Sequence, residues 1–395
     1  MPHARIRTLI LSRFRSYGAA RLNVGAGPIV LTGPNGAGKT NVLEAISFLS
    51  PGRGLRRAQL PDIGQRTPAE GGVNHDDAGS PAWAPPSTAP FPWAVSATVD
   101  GALGTVRLGT GLETGDTGQR RCRVDGEPAG SANVFLDHLK VLWLTPEMDG
   151  LFTGPPSDRR RYLDRLVLAV DASHGSRVNG LERSLRARNR LLEENGAPRF
   201  LDAVEHELAD LAIAVSAARV ETVARLAAEI AASRDDSSPF PFAGIGLDGA
   251  VERMLADAPA VEVEDRYRGL LRDNRPRDRA AGRTLEGPHL CDLLVSHGGK
   301  QIPAARCSTG EQKSLLIGLT LSHARLVAAM QGLSPVLLLD DVAAYLDSER
   351  RAGLFAALAR LGAQVWMTGA DTAAFDQLEN GEHFKVQPGE ITSPS

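Results

Sequence analysis

Residues Gly33 to Thr40 read Gly-Pro-Asn-Gly-Ala-Gly-Lys-Thr, a complete G-x-x-x-x-G-K-S/T pattern of the kind that cradles the phosphates of a nucleoside triphosphate. Gly33, Gly36 and Gly38, with Pro34, Asn35 and Ala37 between them, let the backbone turn its N–H groups inward, and the helix that follows adds the positive end of its dipole. Lys39 reaches the β- and γ-phosphates. Thr40 offers a hydroxyl to Mg²⁺, which prefers oxygen ligands and keeps several waters. Far along the chain, Pro335 to Leu339 form an apolar run that ends in Asp340 and Asp341. Asp340 is placed to hold Mg²⁺ through its water shell, and Asp341 to orient or deprotonate a water in line with the γ-phosphate. Two acids at a strand end would alone be a solvated cap; beside a complete phosphate loop they read as catalytic.

A third stretch, Ser308-Thr309-Gly310-Glu311-Gln312-Lys313, precedes the apolar helix Ser314 to Met330 and resembles the signature motif of ABC-type ATPases. In that motif a serine and a glycine at a helix N-terminus bind the γ-phosphate held by the opposite protomer. Ser308, Gly310 and Gln312 therefore join Lys39, Asp340 and Asp341 as candidate catalytic residues. Gly33 to Thr40 form the candidate nucleotide site, and Thr40 and Asp340 are the candidate metal ligands.

These residues need elements to hold them. Pro28 to Thr32 suit a buried strand and Asn41 to Leu49 carry helical spacing, so the phosphate loop joins strand to helix. Residues 5–12 and 20–32 read as two strands on either side of Phe14-Arg15-Ser16-Tyr17. Ser50 to Arg57 form a basic loop, either a solvated turn or a phosphate contact. The proline-, glycine- and serine-rich stretch 67–92 reads as a flexible insertion. Residues 93–99, 103–109 and 120–125 alternate as an antiparallel meander with Asp100-Gly101 and Asp125-Gly126 turns, and Lys140 to Leu144 form a further strand. Ser157 is placed to cap a helix. Two long amphipathic helices, broken at Asn195 to Pro198, follow as an antiparallel pair. The run Arg272, Arg275, Arg277, Arg279 and Arg283 reads as solvated surface, with a DNA-facing patch as the alternative.

The chain has 395 residues, 42% of them hydrophobic, enough for a large α/β domain plus a smaller one. A net charge of -3 excludes a globally basic DNA binder, so nucleic-acid contact requires a local patch. Only five of the 44 basic residues are lysines, which fits arginine patches or genome composition equally. Cys122, Cys291 and Cys307 lack C-x-x-C spacing, and His289, Cys291, His297 and Cys307 match no zinc module, so a metal reading of them is set aside. No apolar run reaches the ~18 residues of a membrane span. A soluble, unprocessed, cytoplasmic protein is expected, with no membrane contact.

Phe14 to Tyr17, Gly33 to Glu44, Arg159-Arg160-Arg161-Tyr162-Leu163-Asp164, Gly287-Pro288-His289, the signature and Leu337 to Val342, taken in this order, resemble the RecF family of bacterial recombination mediators, relatives of SMC-type ATPase heads. The resemblance runs from about residue 5 to residue 370. It implies an α/β fold, an ABC/SMC-type P-loop ATPase head with an antiparallel β subdomain and an inserted helical lobe. The expected division is 1–150 and 286–395 for the ATPase lobe and 151–285 for the helical lobe. The resemblance further implies ATP and Mg²⁺ as cofactors, weak DNA-stimulated ATPase activity and an ATP-dependent homodimer. It also implies binding to single-stranded and duplex DNA near gaps, RecO- and RecR-type partners, and roles in recombinase loading, repair, replication and the SOS response. Several positions depart from the family pattern. G-P-H-R-D-D-L reads Gly287-Pro288-His289-Leu290-Cys291-Asp292-Leu293, and Ala344 replaces the D-loop serine, which removes one cross-dimer hydrogen bond. S-P-E-D-L becomes Thr145-Pro146-Glu147-Met148-Asp149, which weakens a γ-phosphate sensor role for Glu147. Thr368 stands where ABC transporters place a histidine, which argues against the alternative of an ABC-type subunit of a transporter. An SMC-like protein would need a far longer coiled coil, and a small-molecule kinase would leave the signature unexplained.

Overall fold

Strand β1 (Arg5–Phe14) turns its apolar residues Ile6, Leu9, Leu11 and Phe14 inward. The step of three from Ile6 to Leu9 breaks the two-residue period of a strand, and a register shift between Ile6 and Thr8 absorbs it as a bulge. In the computed structural model, which describes residues 4–65, 91–115, 118–235 and 237–393, the chain divides into two compact units. One joins Met1–Pro146 to Gly332–Ser395; the other is Glu147–Gln331. Residues 67–90 of the expected insertion lie outside the described residues.

The first unit continues with β2 (Tyr17–Asn23), β3 (Ile29–Thr32), helix α1 (Lys39–Ser47), β4 (Trp93–Gly101), β5 (Gly104–Leu112), β6 (Arg121–Val124), β7 (Glu127–Ala129) and β8 (Val141–Leu144). The single strand expected over 20–32 is two strands, because β2 and β3 belong to different sheets. Gly25 to Pro28 carry the chain between them, and a side chain at Gly27 would lie 2.5 Å from the Asn380 carbonyl oxygen. The expected meander is present as β4 to β7, but it extends β1 and β2 into one antiparallel sheet of order β2-β1-β4-β5-β6-β7.

The second unit holds α2 (Pro156–Val170), α3 (His174–Glu193), α4 (Pro198–Ala232), β9 (Ala243–Asp248), α5 (Ala250–Asp257), α6 (Ala260–Asp273), α7 (Arg275–Ala281), β10 (Asp292–His297), β11 (Ile302–Pro303) and α8 (Thr309–Gln331). Helix α2 starts one residue before Ser157, with Pro155 in the capping position, because paired prolines already fix the backbone for a first turn. Asn195, at φ 54°, ends the α3 segment, and α3 packs on α4 around Leu181, Leu185, Leu208 and Ala212. Within this core Arg188 is fully buried and fully engaged: its guanidinium donates to Glu205 at 2.9 Å, Asp278 at 2.7 Å, Thr284 at 2.8 Å and the Leu271 carbonyl at 2.7 Å. The boundary expected at 285 falls at 331. Strand β10 pairs with β9 from Asp292↔Asp248 to His297↔Ala243, and His323 of α8 meets the Leu166 carbonyl of α2 at 3.0 Å, so the signature segment belongs with the helices.

The chain then returns to the first unit as β12 (Val336–Leu339), α9 (Ser348–Leu361), β13 (Val365–Gly369), β14 (Glu382–Gln387) and β15 (Glu390–Thr392). The second sheet of that unit has the order β15-β14-β3-β13-β12-β8, parallel except for β15. Helix α1 lies between the two sheets, its Val42, Leu43, Ile46 and Phe48 sharing one core with Leu9 and Val95 of one sheet and Leu31 and Trp366 of the other. Buried Gln364 pins the sheets together, since its side chain accepts the Ile6 N–H at 2.8 Å and donates to the Ile6 carbonyl at 2.9 Å.

Candidate nucleotide site

Strand β13 lies between β3, which feeds the phosphate loop, and β12, which ends at Asp340; all three run parallel, with Leu31 opposite Thr368 and Leu339 opposite Met367. Their carboxyl ends therefore meet at the N-terminus of α1, where α/β sheets bind ligands. Gly33, Gly36 and Gly38 have φ of 152°, 80° and 113°, conformations that a side chain resists. Space is tight as well at Gly38, where a Cβ would lie 2.7 Å from both Ser16 Oγ and the Tyr17 hydroxyl. Pro34, Asn35 and Gly36 are exposed at the loop's crest, while Ala37, Gly38 and Lys39 are buried beneath it. Lys39 Nζ donates to the carbonyl oxygens of Gly33 at 2.6 Å and Pro34 at 3.0 Å, so the ammonium is held across the loop.

Asp340 joins the three strands. Its Oδ1 accepts from Thr40 Oγ1 at 2.9 Å and from Thr368 Oγ1 at 2.7 Å, and Thr368 Oγ1 accepts the Asp341 N–H at 2.8 Å. Burial raises the Asp340 pKa; the two hydroxyls oppose that shift and the neighbouring Asp341 charge adds to it. Asp341 sits at φ 52°, a left-handed backbone that costs a non-glycine residue on the order of 1 kcal/mol or more and persists only where surroundings enforce it. The Thr368 hydroxyl supplies part of that enforcement. The two candidate metal ligands, Thr40 and Asp340, are thus in hydrogen-bond contact, and both offer hard oxygens suited to Mg²⁺.

A second set of residues braces the loop. Arg15 forms a two-pronged pair with buried Glu44 of α1, at 2.9 and 2.7 Å, and also donates to the Asp62 carbonyl at 3.1 Å. Ser16 accepts from Asn41 at 2.9 Å, Arg56 donates to Asn41 at 2.8 Å, and the Tyr17 hydroxyl donates to the Gly38 carbonyl at 3.1 Å. Burial pushes the Tyr17 phenol well above its ordinary pKa, so it stays a neutral donor. Sequence reasoning gave none of these residues this bracing role: Arg15, Ser16, Tyr17, Asn41 and Glu44 entered through the family resemblance, and Arg56 through the basic loop. Their signal was the complementary charge of Arg15 and Glu44, which nothing in the linear order pairs. In the basic loop after α1, Arg56 is exposed yet reaches Asn41 at 2.8 Å and Glu44 at 3.4 Å.

The signature lies in the second unit. Ser308 and Glu311 form a capping box on α8: Glu311 accepts from the Ser308 N–H at 2.9 Å and its hydroxyl at 3.0 Å, and the Glu311 N–H donates to Ser308 Oγ at 3.4 Å. The Lys300 ammonium, paired with Glu311, and these Ser308 bonds hold that carboxyl down to about 2. Ser308 and Gly310 are exposed, whereas Gln312 is buried and donates to the Cys307 carbonyl at 2.9 Å. Arg159 and Arg219 of the same unit take two-pronged grips on Asp292 and Asp164, with both contacts 2.8 Å in the first pair and 2.9 Å in the second. The basic run near α7 is only partly solvated surface. Arg275 spans Glu205 and Asp202, Arg272 meets Asp202, Arg277 meets Glu286, and Arg279 donates to the Leu192 carbonyl. Among the described residues there is no cluster of three or more His, Cys, Asp or Glu able to hold a metal, and no helix long and apolar enough to cross a membrane.

A phosphate loop on a strand-to-helix turn, an acidic strand end tied to it through a neighbouring strand, and a signature helix define a P-loop ATPase head of the ABC/SMC type. The comparisons with known proteins agree. The family model for an AAA domain matches residues 8–71. A solved structure of the recombination mediator protein RecF-ATPrS in the RecFOR pathway superposes with a TM-score of 0.83 at 22% identity, covering 100% of this chain and 99% of that one. An Smc head domain from Pyrococcus furiosus with an extended coiled coil, bound to the C-terminal domain of ScpA, shares the fold at a TM-score of 0.52 and 15% identity, over 99% and 96% of the two chains. The DNA replication and repair protein RecF of Mesorhizobium japonicum is 49% identical over 96% of this chain and 95% of its own length. The chain belongs to the RecF family.

Proposed function

We propose that this chain is an ATP-dependent, DNA-binding recombination mediator whose head closes as a homodimer around ATP. The hydrogen bonds that join Thr40, Asp340, Thr368 and Asp341 carry the reading, because they bring a phosphate loop, a metal-binding carboxylate and a candidate catalytic carboxylate to one point. The backbone N–H groups of Gly33 to Thr40 bind the triphosphate and Lys39 neutralises its β- and γ-oxygens. Thr40 and Asp340 would hold Mg²⁺, which would supply positive charge against that on the phosphoryl oxygens. Asp341 orients or deprotonates the attacking water. Ser308 and Gly310, at the N-terminus of α8, bind the γ-phosphate of the partner's nucleotide, and Gln312 fixes the turn through the Cys307 carbonyl.

Family membership supports the biology: DNA repair, replication and recombination in the cytoplasm, with RecO- and RecR-type partners, recombinase loading and a part in the SOS response. Hydrolysis is weak, Mg²⁺-dependent and stimulated by DNA, so ATP acts as a clamp that DNA helps to release. The substrate is DNA at gaps, where single-stranded and duplex segments meet. The direct test is DNA binding with and without ATP-Mg²⁺ on gapped and fully duplex substrates. Tighter binding with ATP, strongest on the gapped substrate, is expected; equal affinity in all four conditions would overturn the reading.

A further inference from the structure

The outer face of the antiparallel sheet carries a shallow trough of about 240 Å³ across β4, β5 and β6. Its floor is made of small residues, Ala94 and Ser96 on β4 and Gly109 and Gly111 on β5, and its wall of Arg107, Arg121 and Arg123. Strand register places these groups in rows. Arg21 stands opposite Ile10, Ile10 opposite Ser96, Ser96 opposite Gly109, and Gly109 opposite Arg123. At about 4.8 Å per strand, Arg21 and Arg123 therefore stand roughly 19 Å apart, with exposed Ile10 and then small Ser96 and Gly109 between them. Along the strands the three wall arginines advance two residues at a time, about 7 Å per step, near twice the ~3.4 Å axial rise between phosphates of one DNA strand.

This arrangement suits a polyanionic backbone. The chain as a whole is at -3, yet the wall presents three guanidiniums, and Glu113, which Arg121 and Arg123 meet at 3.4 and 3.2 Å, is 52% exposed at its side chain. Pairs so open to solvent are worth at most about 1 kcal/mol, so phosphates displace Glu113 at little cost. Among the described residues the outward positions of β1, β2, β4, β5 and β6 include no aromatic side chain, so the face offers no platform for unstacked bases. The small floor of Ala94, Ser96, Gly109 and Gly111 beside the arginine wall fits the closed backbone of a duplex instead.

The trough is also tied to the nucleotide site. Arg120, the residue before β6, donates to the carbonyls of Phe48 at 2.8 Å and Ser50 at 2.6 Å and lies over the Phe48 ring, so it satisfies the C-terminal end of α1. Trp93, which also borders the trough, packs against the same Phe48 ring, with centroids 5.2 Å apart. The helix whose N-terminus holds the phosphate loop thus ends against the hairpin that lines the trough.

We propose that this trough is a docking surface for the phosphodiester backbone of duplex DNA, a reading that rests on the ATP-dependent DNA binding proposed above. The test compares the wild-type chain with a triple variant, Arg107→Ala, Arg121→Ala and Arg123→Ala, and with a triple lysine variant at the same positions. Binding to a random-sequence duplex in ATP-Mg²⁺ is measured across a salt series, with ATP affinity measured in parallel. The alanine variant should lose at least about tenfold in affinity and show a salt slope shallower by roughly 2 to 3, with ATP affinity unchanged. The lysine variant should regain most of the binding, since phosphate contact needs charge more than fork geometry. Unchanged duplex affinity and slope in the alanine variant would overturn the trough while leaving ATP-dependent DNA binding intact. A wild-type chain that binds no DNA with ATP would remove the trough and the reading beneath it together. Loss of heparin binding in the alanine variant with duplex binding retained would also overturn it, marking a site for other polyanions.

Discussion

The Thr368 hydroxyl donates to Asp340 Oδ1 at 2.7 Å while accepting the backbone N–H of Asp341 at 2.8 Å, so one side chain of β13 sets both carboxylates at the end of β12. Its strand, β13, lies between the strand that feeds the phosphate loop and the strand that carries the acids. Thr368 is a positioning residue: it acts through Asp340 and Asp341.

Replacing Thr368 with valine keeps the shape and removes the hydroxyl, leaving a buried carboxylate oxygen and a backbone N–H each short of a partner. Hydrogen bonds to charged groups are worth about 1.5 to 3 kcal/mol, so hydrolysis should fall roughly ten- to a hundredfold. ATP affinity should change little, and Thr368→Ser should restore most of the rate. Steady-state ATPase assays on the two variants, with nucleotide titrations, check this. A serine variant as slow as the valine one would refute a hydroxyl-based role.

Asp341→Asn should slow hydrolysis while leaving nucleotide bound, because the amide cannot take a proton from water. Size measurement in ATP-Mg²⁺ should then show a dimer that outlasts the wild-type one. A variant that stays monomeric in saturating ATP-Mg²⁺ would count against the assignment.

Lys39→Ala should weaken ATP binding by about ten- to a hundredfold, since no other residue of the loop brings a positive charge to the β- and γ-phosphates. Calorimetric titration reads this directly, and unchanged affinity would be decisive against it.

Arg188→Met addresses stability in the second unit. It leaves Glu205 and Asp278, each about 1% exposed, without their shared cation, although Arg275 still reaches Glu205. Breaking a buried pair in this way typically costs about 3 to 5 kcal/mol, which a denaturant midpoint would register. A loss under about 1 kcal/mol would mean that the cluster relaxes or admits water.

The placement of the candidate site residues was legible in the sequence wherever local order dictates it. Gly33 to Thr40 need only their own spacing to form a phosphate loop, and Asp340 and Asp341 follow an apolar strand that could end in few other ways. What escaped depends on pairings across long stretches of chain. Gly25 to Pro28 look continuous with a strand until two separate sheets claim its halves. Arg275 looks like solvated surface until Glu205, 70 residues earlier, turns out to face it. The boundary moved from 285 to 331 for the same reason, because β10 finds its partner in β9. Arg15 and Glu44 carry complementary charges, but only the fold brings them together at the loop.

The central claim is that each nucleotide site is shared, with Lys39 of one protomer and Ser308 of the other acting on the same ATP. Mixing Lys39→Ala protein with Ser308→Arg protein places both lesions in one site of the heterodimer and leaves the other site whole. Differentially tagged chains allow heterodimers to be isolated in ATP-Mg²⁺ and their slowly exchanging nucleotide to be counted. One trapped and slowly hydrolysed ATP per heterodimer is the expected result, with none in either variant alone. Heterodimers that form but trap no ATP at either site would contradict the shared arrangement.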